Sequence, residues 1–253
     1  MSTQYRNILY KQYFTSRGSE ATDLKDVLIH REYYNDYFLN HFLPKDKSIR
    51  ILDMGCGYGT MLASLQNLGY SNFTGVDFSS EAIKVLRQTA WAEKVIEDDV
   101  VDFLEKAVQQ NLTWDVVLAI DILEHFSKDE LVHLLTLLKS LISTTGFVII
   151  KVPNAQSPML SGNTVFGDFT HEIAFTPASL SQVLIACGFH SVENHEASPV
   201  PYTLISHIRF YLWRIIRLIY TFFYAVETGS LNHSMIWTRS FFAVARKGEC
   251  LKS

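Results

Sequence analysis

An apolar run of strand length, Ile49-Arg-Ile-Leu-Asp-Met54, ends directly in Gly55-Cys-Gly-Tyr-Gly59 and continues with helical spacing from Thr60 to Leu68. The glycines let the backbone turn tightly and come close to a ligand. The helix that follows offers N–H groups with no partner of their own. A strand-glycine-helix unit of this kind needs neighbouring strands, and the chain supplies them by alternation. Phe73 to Val76 reads as a second strand, ending at Asp77, and Ser79 caps a helix from Ser80 to about Ala90. Lys94 to Ile96 is a third, Val101 to Gln109 a helix, and Trp114 to Ile120 a continuous apolar run that marks a strand buried on both faces. Ser127 caps a helix reaching Ile142, Thr145-Gly146 turns, and Phe147 to Val152 is the fifth strand. Strand and helix alternating in this way predict an α/β fold, a Rossmann-like doubly wound parallel sheet. In such sheets the ligand crevice lies at the carboxyl ends of the strands. Asp53, Asp77, Asp99 and Asp121 all stand there.

The flanks are less regular. Residues 1–25 read as a partly ordered N-terminal arm, and residues 26–253 as one domain, opened by a helix from Asp26 to Phe42. Residues 153–176 form a loop too long to be a simple connector, so it is expected to shape a site. Thr176-Pro177 opens a further helix, His190 to Glu196 is a sixth strand and Trp237 to Arg246 a last one, with a helical insertion at 202–234 before it.

With 253 residues, 48% of them apolar and 19% charged, the chain can bury a sizeable core. A net charge of −4 offers nothing that draws nucleic acid, so none is expected as a partner. Three scattered cysteines form neither a disulfide framework nor a zinc pattern. The polar N-terminus lacks an apolar signal core, and a cytoplasmic location is expected.

The glycine loop fits a dinucleotide cradle poorly. Gly-x-Gly-x-x-Gly is the dehydrogenase pattern, whereas the glycines here alternate and the sixth position is Thr60. Asp77 can accept two hydrogen bonds from a ribose diol, and Asp99 can accept from an exocyclic amine, with Asp98 competing for that place. Together the residues resemble class I S-adenosylmethionine-dependent methyltransferases. Ile51-Leu-Asp-Met-Gly-Cys-Gly-Tyr-Gly59 is similar to their first motif, Gly75-Val-Asp-Phe-Ser79 to the second, and Trp114 to His125 to the fourth. The resemblance implies seven strands in the order 3-2-1-4-5-7-6 with the last antiparallel. It implies S-adenosyl-L-methionine as cofactor, with Asp53, Gly55, Cys56 and Gly57 at its methionine end and Asp77 and Phe78 at the ribose. Asp99 and Val100 would meet adenine, and Ile120 would pack nearby. Arg31 stands where ubiquinone-pathway relatives carry an arginine for the cofactor carboxylate.

Asp121-Ile-Leu-Glu-His125 follows strand four and resembles the acidic-x-x-Glu-His motif of magnesium-using methyltransferases, which have Glu at the first place. By that resemblance Asp121, Glu124, His125 and, from the long loop, His171 are candidate ligands for Mg2+, and Asp121, His125 and His171 are candidate catalytic residues. Glu-His at this place also occurs without metal, as the start of a helix. The segment His171 to Phe189 resembles methyltransferases of bacterial surface glycans and sugars. The expected acceptor is therefore a hydroxyl on a small molecule or glycan. An N-methyltransferase, a non-catalytic S-adenosylmethionine-binding module and a nicotinamide-dependent oxidoreductase are the rivals.

Tyr202 to Val226 is strongly apolar and aromatic, interrupted by Arg209, Arg214 and Arg217. At 100° per residue these three fall within roughly 140° of arc, beside His207. Arginines near the middle make a membrane span costly. The leading expectation is a helix packed over the sheet or a homodimer contact; the alternative is peripheral membrane contact.

Overall fold

The computed structural model describes residues 4–18, 33–159, 161–232 and 234–248. Seven strands form one sheet in the order β3-β2-β1-β4-β5-β7-β6. They are β1 (Ile51–Met54), β2 (Phe73–Asp77), β3 (Val95–Glu97), β4 (Trp114–Ile120), β5 (Ile142–Pro153), β6 (Ser191–Glu196) and β7 (Ser240–Arg246). β1 to β5 pair in parallel, and β7 runs antiparallel between β5 and β6. The order and the reversed last strand match the expectation.

Alternation along the strands sorts side chains into two cores. Leu52, Val117, Val148, Ile150 and Ala243 face one side. There they meet α6 (Val100–Gln109), α7 (Lys128–Leu141) and α9 (Pro177–Ala186) through residues such as Leu104, Leu134 and Leu180. Ile51, Val116, Leu118, Ile149 and Phe242 face the other side. They meet α3 (Tyr33–Phe42), α4 (Thr60–Asn67) and α5 (Ser80–Leu86) through Phe38, Leu62 and Ile83. A period of two in the strands against one stripe on each helix produces this three-layer packing.

Several boundaries differ from the sequence expectation. Thr145-Gly146 lies within β5 and is not a turn, because the strand begins at Ile142. The register shifts between Trp114 and Val116, and the backbone carbonyl of Asp115 comes so close that a Cβ on Gly146 would sit 2.7 Å from it. Glycine is needed there for close approach. α5 stops at Leu86, where the Thr89 hydroxyl donates to the Leu86 carbonyl at 2.7 Å. The long loop contains a short helix, α8 (Ser161–Phe166). The first part of the expected Asp26–Phe42 helix, and Arg31 with it, lies outside the described residues.

Two segments depart further. Residues 4–18 form α1 (Gln4–Leu9) and α2 (Tyr13–Ser16) and lie against the carboxyl ends of the strands. α10 (Leu204–Thr228) is one unbroken helix, started by a Thr203–Ser206 capping box and ended by Gly229 in left-handed conformation. It is not packed across the sheet. Tyr220 and Tyr224 meet Trp237 just before β7, and Thr221 accepts from the Trp237 indole at 3.2 Å. No helix among the described residues is long and apolar enough to cross a membrane.

Candidate active site

The crevice has two halves. The first is built by the turn after β1. Gly55, Gly57 and Gly59 all have positive φ (66°, 50° and 74°), a conformation open to glycine at little cost. A Cβ at Gly55 would collide with Ile122 at 2.6 Å. The turn is tied to β2: the Gly55 N–H donates to the Val76 carbonyl, and the Gly57 N–H to Asp77 Oδ2, both at 2.8 Å. The other Asp77 oxygen accepts from the Ser79 N–H at 2.8 Å.

Asp53 is 2% exposed, and its Oδ2 has no hydrogen-bond partner among the described residues. Burial, with the nearby charge of Asp77, pushes its pKa up to about 8. Burial also raises Asp77, against the two backbone N–H bonds that favour its charged form. Two acids thus converge with no ion pair to either among the described residues. Cys56 is buried, and burial pushes its thiol well up, so it packs as an apolar side chain. Asp99 caps α6, accepting from Val101 N at 2.8 Å and Asp102 N at 3.3 Å, while Asp98 pairs with Lys106 at 2.5 Å. Val100 is buried in the first turn of α6, Phe78 is partly exposed beside Tyr10, and Ile120 packs on the core.

The second half lies after β4. Asp121 has φ 52° and pairs with Lys151. Glu124, His125 and His171 do converge, each offering a donor atom within 4.8 Å of the others. Glu124 is 1% exposed, and burial together with Asp121 raises its pKa. His125 is pushed down to about 4, first by burial and then by His171. The rings of His125 and His171 sit edge to face, 4.8 Å apart.

Their hydrogen bonds select one tautomer each. Thr170 Oγ1 donates to Asp168 Oδ1 at 2.6 Å, so it accepts from His125 Nδ1 at 2.9 Å. His171 Nδ1 donates to the Val165 carbonyl at 2.8 Å. Both Nε2 atoms therefore keep their lone pairs. His171 Nε2 stands 4.0 Å from both Glu124 Oε1 and Asp168 Oδ2. Burial would raise Asp168, but the Thr170 hydroxyl and N–H, Arg17 and Tyr13 outweigh it and hold its carboxyl low.

Motif reading missed Asp168, Thr170 and the whole of the arm. Arg6 donates to Glu130 at 2.6 Å and to the His125 carbonyl at 3.0 Å, and Tyr5 binds Glu172. Tyr13 reaches Asp168 Oδ2 at 3.0 Å and lies edge-on to His125. Phe14 packs on Tyr58 with the rings tilted, centroids 4.2 Å apart, and approaches Gly57. Between arm and loop is a cavity of about 430 Å3 lined by Leu9, Tyr13, Arg17, Asp168, Phe169 and Thr170. The cluster of tyrosines and arginines in residues 5–17 was the available signal, but no spacing rule points it at the crevice.

Comparisons agree with this architecture. The sequence model of the methyltransferase domain family matches residues 27–194, about two thirds of the chain. A ubiquinone biosynthesis O-methyltransferase of Methylocella silvestris is 33% identical over 104 residues, which cover 37% of this chain and 40% of that protein. The EEF1A lysine methyltransferase 2 of Homo sapiens is 38% identical over 71 residues, 27% of this chain and 29% of that one. The chain thus spans less than half the length of the curated relatives it matches. A SAM-dependent methyltransferase structure from Archaeoglobus fulgidus superposes with a TM-score of 0.59 at 23% identity, covering 96% of this chain and 99% of that one. From the family match and the strand order together, the chain belongs to the methyltransferase domain family and has the class I S-adenosylmethionine-dependent fold.

Proposed function

We propose that the chain transfers a methyl group from S-adenosylmethionine to a hydroxyl of a small molecule or glycan, with His171 as the base. The observation that carries this reading is the pair of imidazoles, His125 and His171, whose Nδ1 atoms are both engaged and whose Nε2 lone pairs stand beside the buried Glu124. When bound, the cofactor supplies an electrophilic methyl on a sulfonium. The chain's residues fit such a group. Asp53 has a buried oxygen with no partner, and with Asp77 it makes an acidic recess that a cationic ligand would neutralise. Asp77 has each oxygen fixed by a backbone N–H, which holds it ready for a diol. Asp99 and Val100, at the start of α6, remain our assignment for the adenine side, with one Asp99 oxygen committed to the helix cap.

On the acceptor side, His171 Nε2 would take the proton that the acceptor hydroxyl gives up when it receives the methyl group. Ionised Asp168, 4.0 Å away, stabilises the imidazolium that forms. His125, held neutral by burial, orients the hydroxyl. Tyr10 and Tyr13 of the arm cover His125 and limit water there.

A second reading has Glu124, His125 and His171 hold a divalent cation, and the convergence of their donor atoms favours it. Two imidazoles and one carboxylate suit a borderline ion such as Mn2+ or Zn2+ better than Mg2+, which prefers hard oxygen ligands. Asp121, paired with Lys151, adds no oxygen to the set.

The test is transfer of labelled methyl from S-adenosylmethionine to a panel of phenols, sugars and amines, run with chelator and then with Mg2+ or Mn2+ restored. Hydroxyl acceptors alone becoming labelled, unaffected by chelator, supports the base reading. Loss with chelator and recovery with Mn2+ supports the cation. Labelling of amines alone would overturn the hydroxyl assignment.

A further inference from the structure

α10 is 25 residues long, about 37 Å at 1.5 Å per residue. Twelve of its large apolar side chains are exposed, among them Ile205, Ile208, Leu212, Ile215, Phe222 and Phe223. At 100° per residue all twelve fall in one continuous sector of roughly 160° that contains no charged residue. The opposite side is what holds the helix to the body: Tyr220, Thr221 and Tyr224 meet Trp237, and Arg217 pairs with Glu196 at 3.5 Å. The helix is therefore anchored along one side and bare along the other.

An arginine stands at each edge of the bare sector. Arg209 borders it on one side, with Glu227 at the same azimuth five turns on, and Arg214 borders it on the other. Three arginines and a single acidic residue, Glu227 in the last turn, lie on the helix, although the chain as a whole carries −4. Neither Arg209 nor Arg214 is paired with a carboxylate among the described residues. The apolar surface continues onto the long loop. Met159, 75% exposed, lines a cavity of about 390 Å3 with Leu212, Ile216 and Arg209. A wide apolar sector with cationic flanks is the pattern of a helix lying in a membrane interface.

We infer that α10 lies in the headgroup plane of an anionic phospholipid bilayer. Ile208, Ile215 and Phe222 enter the acyl boundary, and Arg209 and Arg214 meet lipid phosphates on the two flanks. The three arginines oppose burial across the bilayer. A second copy of the chain fits the face less well, because it would bring the same cationic flanks and only Glu227 to meet them. This surface is independent of the chemistry assigned to the crevice.

The experiment is flotation of the purified full chain with vesicles of phosphatidylcholine alone or of equal parts phosphatidylcholine and phosphatidylglycerol, alongside its oligomeric state in solution. The expected result is co-flotation with the anionic vesicles only, weakened by salt. R209Q/R214Q should lower that affinity by about thirtyfold, from surface charge alone. I208E/I215E should abolish flotation while keeping S-adenosylhomocysteine binding and the unfolding transition. Were this variant to misfold, the arginine pair alone decides. Flotation with neither vesicle, or equally with both, overturns the inference. So does a dimer that is lost in I215E without any vesicle binding.

Discussion

The two halves of the crevice are built by different means. On the cofactor side the partners are close in sequence: Gly57 and Asp77 lie twenty residues apart, and the strand-turn-helix unit brings them together. On the acceptor side the partners are far apart. Arg6 reaches Glu130 across 124 residues, Tyr13 reaches Asp168 across 155, and His125 meets Thr170 across 45. The first half is made by backbone geometry that a short motif encodes. The second depends on three segments docking on one another, so its electrostatics exist only in the folded chain.

The comparison breaks most sharply at His171. His171→Ala should lower turnover on the order of a hundredfold to ten-thousandfold. S-adenosylhomocysteine affinity by calorimetry should stay unchanged, because the His171 ring bonds to the Val165 carbonyl and stands beside Glu124 and Asp168, away from the glycine turn and Asp77. Turnover within a few-fold of the parent would remove His171 from the chemistry.

Asp53→Asn tests the other half. Loss of a charge-assisted bond to the cofactor's cationic end should cost about 1.5–3 kcal/mol of binding, tenfold or more in affinity. The free protein should melt no lower than the parent, since a buried carboxylate without a partner is removed. A lower melting temperature with unchanged affinity would mean that Asp53 serves the fold.

The same residue predicts a pH dependence. Its pKa in the fold is raised from 3.8 to about 8, so its contribution to stability is present in full below about 3.8 and is lost as pH rises toward 8. A cationic ligand favours the ionised form. Affinity should therefore rise as pH rises toward 8, by at most about tenfold per unit, and Asp53→Asn should flatten the rise. A flat profile in the parent would argue against the contact.

The smallest effect belongs to the arm. Hydrogen bonding to Arg6 is the first of the causes that lower Glu130, to about 2 from 4.5. The pair's contribution is thus present above about pH 4.5 and fades as pH falls toward 2. Because Glu130 is partly exposed, Arg6→Ala should cost no more than about 1 kcal/mol. It should still raise the acceptor KM and speed proteolysis within residues 4–18. An unchanged cleavage rate would show that Arg6 does not hold the arm.

How much could be read beforehand follows the same division. The alternating strands and helices and the glycine turn were legible, because each is written in a local period or a short motif, while the sheet order and the reversed last strand followed from the family resemblance that those motifs carry. Asp121 shows the limit. Its spacing with Glu124 and His125 suggested one cluster, yet Asp121 has a left-handed backbone and pairs with Lys151, and the donor atoms that converge are those of Glu124, His125 and His171. Asp168 lies only three residues before His171, yet its place beside the imidazole depends on how the loop folds and on Thr170, Tyr13 and Arg17. Asp99 shows a carboxylate whose position was plain in sequence while its hydrogen bonds to the cap of α6 were not.

By itself, the sequence determined the alternating elements, the two apolar faces of the sheet and the acids at the strand ends, because periodicity and glycine conformation act over a few residues. Only the tertiary structure decided which imidazole nitrogens are free, which carboxylate backs His171, where the arm lies and which face of α10 is bare. Those depend on how the loop folds and on how distant segments dock on it, and burial and charge take their values only after the chain has closed on itself.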